Sequence, residues 1–302
     1  QFYYFNEKKK YNKKKFFLKN KDLKNITVKR KKICGIEFNE PKIMGVLNIT
    51  PDSFSDGGVF FDKEKAFDQA NFMYKSGAAI VDVGGESTRP GAIKIKANEE
   101  VLRVLPIIQT LVKKNVDISL DTRNASTMEM GILSGVKIIN DVSALSNDKQ
   151  SFKIIKDYNT PIILMHMPGT PQNMMLKNKY ADVVLDVYDF LNEKISFCIK
   201  NGIKRENIII DPGIGFGKDS KQNLYLLRNL SVFHGLGCPI MLGVSRKRFI
   251  SSIVKIENPK NRLGGTLSAT LIALAQGIQI HRVHDVKQVL QAIKVFENIV
   301  NQ

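Results

Sequence analysis

Eight short apolar runs, rich in β-branched residues and spaced by longer segments of helical period, constrain this chain more than any other feature. They span residues 42–50, 79–85, 117–122, 137–143, 161–167, 207–213, 239–245 and 278–284. Strand-like runs that alternate with helix-like segments imply parallel βαβ units, because parallel neighbours need a crossover. Eight such units over about 250 residues predict a closed (β/α)₈ TIM barrel. An open doubly wound sheet is the runner-up, since alternation alone does not close a sheet.

The helical segments carry their own signals. Asp62 is placed to cap a helix that buries Ala66, Phe67, Ala70, Met73 and Tyr74 and ends at Gly77. A second runs over about 180–201, with Val183, Val184, Val187, Phe190, Leu191, Ile195 and Cys198 on one side and Gly202 as its stop. Pro106 predicts a kink or restart inside another. A last helix covers 286–299. Upstream, residues 33–39 and the Glu40-Pro41 turn predict a short strand or hairpin over the bottom of the barrel.

Composition excludes some classes. With 43% hydrophobic and 25% charged residues, the 302-residue chain is neither disordered nor fibrous. No apolar run reaches the eighteen or more residues of a membrane span. Cys34, Cys198 and Cys238 lie far apart without a CxxC spacing, which predicts reduced thiols and a cytoplasmic location. The formal charge of +17 is uneven: residues 1–33 hold 13 Lys and Arg against 2 Asp and Glu. This stretch has no continuous apolar segment and is Lys-rich without Ser, unlike a signal or transit peptide. Aromatic residues interleave with its lysines as in a nucleic-acid arm, but a solvated basic extension is the simpler reading. Residues 34–302 then form one catalytic domain.

The polar residues sit where the apolar runs stop. Asn48 closes the first run, Gly85-Glu86-Ser87-Thr88-Arg89-Pro90 follows the second, and Asp121, Asn140-Asp141, His166 and Asp211 end the next four. Ser245-Arg246-Lys247 and Arg282-Val283-His284 end the last two. In a parallel barrel all eight ends share the C-terminal face, so together they predict one convergent polar pocket. Arg89, Arg282 and His284 supply donors for an anion, most simply phosphate or diphosphate. Asp121, Asn140 and Asp211 form an acceptor-rich group suited to the edge of a flat heterocycle. Phe216 is placed to pack on its face and Lys247 to meet its acceptors. The Gly- and Ser-rich loops after the first two runs have the composition of closing lids.

These residues and spacings resemble the dihydropteroate synthases. The resemblance covers nearly all of 42–300 and rests on MGVLNITPDSFSDGG, VDVGGESTRPGA, SLDT, INDVSA, LMHMPGTP, IIDPGIGFGK, LGVSRK and HRVHDV, in order. It implies condensation of 6-hydroxymethyl-7,8-dihydropterin diphosphate with 4-aminobenzoate, giving 7,8-dihydropteroate and pyrophosphate in folate synthesis. On matching positions it implies that Asp121, Asn140, Met165, Asp211, Phe216 and Lys247 hold the pterin. Asn48, Arg89, Arg282 and His284 would grip the diphosphate, with Asn48 also placing Mg²⁺. Phe54, Thr88 and Pro90 would form the aminobenzoate site. The implied catalytic group is Asp121, Lys247, Arg282 and His284, working either by early loss of pyrophosphate or by direct displacement. A cytoplasmic homodimer with small-molecule substrates, and no membrane or nucleic-acid partner, is the family expectation.

Other polar residues carry plainer readings. His166 is expected to be a hydrogen-bonded structural histidine behind the pterin, and His234 and His281 to be structural or on the surface. Asp141 is read as structural, and Asp82 as orienting Arg89 or the barrel layers. Asp52 and Asp56 are read either as ordering the loops or as ordinary turn residues. Arg248 stands where many family members have Ser after the lysine of SRK, so it faces either the aminobenzoate carboxylate or solvent. The competing functions are a pterin-dependent methyltransferase of the same superfamily and a nucleic-acid-binding protein built on the basic N-terminus. The first would not need the NITPDSFSDGG loop or the Arg282/His284 pair.

Overall fold

The structure is a computed structural model that describes residues 24–26, 28–50 and 59–300. Its eight strands are β1 (Lys42–Asn48), β2 (Ile80–Gly84), β3 (Ile118–Asp121), β4 (Ile138–Asp141), β5 (Ile162–Met165), β6 (Ile208–Asp211), β7 (Met241–Gly243) and β8 (Ile280–Val283). They are all parallel, in the order β6-β5-β4-β3-β2-β1-β8-β7. A parallel bridge from Ile210 to Ile240, with Ile210 N–H donating to Pro239 O at 3.0 Å, joins β6 to the approach of β7. The expected TIM barrel is therefore the fold, and the open sheet is excluded.

Period-two alternation sorts each strand into two faces. Leu47, Val81, Val83, Leu120, Ile139, Leu164, Ile210, Leu242 and Val283 pack outward with the helices in one buried cluster. Met44, Ile80, Ile138, Ile163, Ile209, Met241 and Ile280 form a separate cluster, the lowest layer of the barrel interior. Ile33 joins that layer at 2% exposure, with Cys34, Ile36 and Phe38 packed against it and an antiparallel Ile33–Ile36 bridge shaping the hairpin. Burying Ile33 contributes about 2 kcal/mol. Just upstream, Arg30 Nη2 donates to His234 O at 2.9 Å and Asn25 Nδ2 to Gly235 O at 2.8 Å.

The nine longer helices among the described residues are α1 (Val59–Lys75), α2 (Ala97–Lys113), α3 (Ala125–Leu133), α4 (Ser151–Asp157), α5 (Val183–Lys200), α6 (Ser220–Arg228), α7 (Arg248–Val254), α8 (Leu263–Ala275) and α9 (Val286–Val300). Three helix expectations change. α1 begins at Val59, so Asp62 lies inside it and is not its cap. Ala66, Ala70 and Met73 are buried, but Tyr74 is 39% exposed because it lies one position past the inward stripe. α2 runs through Pro106 without a restart: the carbonyl that loses its helical donor belongs to Leu102, on the solvent-facing side. α5 follows its pattern closely. Asp182 caps it by accepting from Val184 N and Leu185 N, and Gly202 leaves it at φ +104°. No helix among the described residues is long and apolar enough to cross a membrane.

Candidate active site

Above the isoleucine layer the inward positions become polar: Asp82, Asp121, Asn140, Asp211 and Arg282, with Met165 among them. Two carboxylates share one guanidinium. Arg282 Nε donates to Asp82 Oδ2 at 2.6 Å and its Nη2 to Asp121 Oδ2 at 2.8 Å. Asp82 Oδ2 also accepts from Asn140 Nδ2 at 3.0 Å. Asp82 therefore orients Arg282 and Asn140 within the barrel layers, the second of its two expected roles, and its hydrogen bonds do not go to Arg89. It is fully buried, and its Oδ1, like Asn140 Oδ1 and Ser119 Oγ, has no partner among the described residues.

This packing shifts protonation. Burial foremost, with the charge of Asp82 added, pushes the Asp121 carboxyl up to about 8, although Arg282 draws it down. Burial alone would lower the Arg282 guanidinium, but Asp82 and Asp121 together raise it. Burial raises Asp211, opposed by Lys247 and by the Gly213 amide, which donates to Asp211 Oδ1 at 2.7 Å. Lys247 is held down to about 8, first by burial and against the pull of Asp211.

The loop after β6 shapes the opposite wall. Gly213 takes φ +71°, and a Cβ there would lie 2.0 Å from His166 O, so only glycine fits. Lys218 Nζ sits beneath the loop and donates to Gly213 O at 2.8 Å and Phe216 O at 3.0 Å, with His166 Nδ1 at 2.9 Å. Phe216 packs beside Val142, Met165, Met167 and Met174. Lys247 Nζ stands 4.8 Å from the Phe216 ring centroid and donates to Ile214 O. An aromatic face, a cation and two carboxylates thus surround one space.

The anion-side residues sit at the rim. Asn48 ends β1, pairing with Gly84 in register. His284 Nδ1 is 3.0 Å from Ser245 Oγ, which also accepts the His284 backbone N–H at 3.2 Å. Burial, followed by the charges of Arg246 and Arg282, holds His284 down to about 3, and Arg89 is close enough to add to that effect. Arg89 and Pro90 are exposed on the loop after β2, with Thr88 half-buried. Arg246 and Asp285 pair at 3.0 and 2.5 Å, tying the turn that presents Lys247 to the end of β8. Phe54, Asp52 and Asp56 lie outside the described residues. Arg248 is exposed at the start of α7.

Among the remaining histidines, His166 meets Lys218, His281 is buried, and His234 Nε2 lies 2.8 Å from Gln276 O. Asp141 accepts from Ser143 N, Ser143 Oγ and Leu145 N, a structural turn as expected. Sequence reasoning missed the pairing role of Asp82 and the bonds of Ser245 and Lys218. It also missed a buried Glu86–Arg123 ion pair at the ends of β2 and β3. Their signal was a charged or hydroxyl residue beside each strand end, without any mark of its partner.

A parallel barrel with this interior defines a class. Residues 44–284 match the family model described as pterin binding enzyme. The chain is 40% identical over 264 residues to the dihydropteroate synthase of Escherichia coli (strain K12), covering 87% of this chain and 93% of that one. It is 43% identical over 267 residues to the dihydropteroate synthase of Neisseria meningitidis serogroup B, covering 87% and 94%. Among solved structures, Xanthomonas albilineans dihydropteroate synthase with 4-aminobenzoic acid superposes with a TM-score of 0.85 at 37% identity, over 91% of this chain and 100% of that one. The chain belongs to the dihydropteroate synthase family.

Proposed function

We propose that the chain joins 6-hydroxymethyl-7,8-dihydropterin diphosphate to 4-aminobenzoate, releasing pyrophosphate and 7,8-dihydropteroate for folate synthesis. The observation that carries the reading is the Asp82–Arg282–Asp121 cluster, set among Asn140, Asp211 and Lys247 inside the barrel. Asp211 and Asn140 accept and donate along the pterin edge, Met165 and Phe216 cover its faces, and Lys247 meets its ring acceptors. Arg282, His284 and Arg89 hold the diphosphate. Thr88, Pro90 and Phe54 receive the aminobenzoate.

The C–O bond to the diphosphate breaks and the arylamine nitrogen forms the new C–N bond, losing a proton. Positive charge that develops on the pterin lies beside Asp121, and the carboxylate form of that residue, which fills as pH rises toward about 8, stabilises it. Arg282 and His284 stabilise the departing oxygens. Early departure of pyrophosphate would leave a cation against which the arylamine's own nucleophilicity suffices, so this route requires no strong base.

The donor set fits Mg²⁺ as a site shared with substrate. Among the described residues no three His, Cys, Asp or Glu side chains converge on an ion. Asn48 would supply one side-chain oxygen and the diphosphate others, in keeping with a hard cation that retains several waters. Bound there, Mg²⁺ would offset negative charge on the leaving group. Family membership supports a homodimer, and the three free cysteines support a cytoplasmic location.

The test is incubation of the folded chain with both substrates and Mg²⁺ while pyrophosphate and dihydropteroate are followed. Turnover is expected. Its absence in well-folded protein overturns the reading.

A further inference from the structure

Two buried charges at the rim lie outside the proposed substrate contacts. Glu86 leaves β2 and Arg123 leaves β3, and both side chains are 3% exposed. Arg123 Nε donates to Glu86 Oε2 at 2.8 Å and Nη2 to Oε1 at 3.0 Å, a bidentate pair. Glu86 Oε1 also accepts the Ile95 amide at 3.3 Å. One carboxylate therefore gathers both ends of the loop that carries Thr88, Arg89 and Pro90.

The other partners extend this anchor around the barrel mouth. Arg123 O accepts from Asn147 Nδ2 at 3.0 Å, and Asn147 N donates to Ser143 Oγ, which itself donates to Asp141 at the end of β4. Glu100 on α2 accepts from Thr122, Asn124 and Thr127 through one oxygen, tying the far end of the loop to the end of β3. The loop's outer part meets the loop after β5, where Gly91 N donates to Pro171 O at 3.0 Å and Gln172 Nε2 to Ala92 O at 2.7 Å. A buried ion pair is a poor source of stability compared with apolar packing, because both charges are desolvated. It does specify geometry, since the guanidinium fork fixes both the distance and the plane of its carboxylate.

We propose that Glu86 and Arg123 are positioning residues for the aminobenzoate end of the site. They act through Thr88, Arg89 and Pro90 and touch no substrate themselves. The inference deepens the proposed reaction and rests on it. Glu86→Gln keeps the shape and removes the charge, whereas Arg123→Lys keeps the charge and removes the fork. In the full chain with Mg²⁺, each raises KM for aminobenzoate by about tenfold, with a smaller rise for the pterin diphosphate through Arg89. The Kd for 6-hydroxymethylpterin, which lacks the diphosphate, stays at the wild-type value, and circular dichroism melting checks the fold. If Glu86→Gln does not fold, Arg123→Lys, which leaves no buried charge unpaired, carries the test. An unchanged aminobenzoate KM in a folded variant overturns the proposal. So does a parallel loss of 6-hydroxymethylpterin binding, which would mark general loosening of the barrel mouth. A wild-type chain without turnover overturns the underlying reaction instead, so the two failures are distinguishable.

Discussion

Asp82→Asn tests whether the buried cluster aims Arg282 at the diphosphate. The substitution is nearly isosteric and leaves an amide oxygen where Oδ2 now accepts from Arg282 and Asn140. At 2.6 Å and an effective dielectric of 20, the lost charge attraction is about 6 kcal/mol. Most of that is offset because a buried carboxylate no longer has to be stripped of water. The net difference between a hydrogen bond to a charged group and a neutral one is about 2 kcal/mol. If Arg282 swings toward its remaining partner Asp121, that loss appears in diphosphate affinity as a factor of about 30 in Kd. The Asn140 bond survives as an amide pair, so 6-hydroxymethylpterin without the diphosphate binds within about 1 kcal/mol of wild type. Calorimetric titration with the two ligands separates the terms. Asp82 also helps to raise Asp121, so the variant lowers that pKa below about 8 and moves the acid limb of kcat/KM to lower pH. Equal losses for both ligands, or undiminished diphosphate binding, would refute the reasoning.

Three other outcomes follow from the same geometry. Asp211→Ala weakens binding of 6-hydroxymethylpterin by about 1.5–3 kcal/mol, whereas Arg282→Ala weakens the diphosphate ligand and spares the pterin alone; calorimetry that finds equal losses in both variants contradicts this partition. His281 is 1% exposed, and burial, opposed by the Ile278 backbone, holds its pKa down to about 4. The unfolded chain takes up the proton that the folded one refuses, so this residue's stabilising contribution is complete above its ordinary value of 6.5. It falls away as pH drops toward 4, by about 3 kcal/mol; urea titrations in which His281→Leu keeps the same acid slope would disprove it. Deleting residues 1–25 leaves turnover intact, and a large drop in kcat would place the basic stretch in the chemistry.

The barrel was legible because each strand alternates between helix-facing Val, Leu and Ile and an interior that is apolar below and polar above. Polar residues at the run ends marked the site for the same reason: only the C-terminal layer of a parallel barrel tolerates Asp121, Asn140, Asp211 and Arg282 together. Pairings were not legible. Asp82 lies within an apolar run and meets an arginine 200 positions later, and nothing local marks which cation it serves. Arg89, nearby in sequence, looked the better partner, but its loop carries it to the exposed rim. Glu86 and Arg123 were hidden in the same way: each lies two residues past the Gly84–Asp121 register pair of β2 and β3, and that register exists only once the strands have paired. Tyr74 and Pro106 show the limits of helical pattern. A stripe edge can turn outward by one residue, and a proline is accommodated where the carbonyl it frees faces water.

The hairpin at Ile33 also makes the barrel a blind well. With the floor sealed by a ring of isoleucines and methionines, whatever reaches Asp121, Asn140 and Asp211 passes one mouth. A ligand that fills the rim therefore closes the way in and the way out of the interior at once.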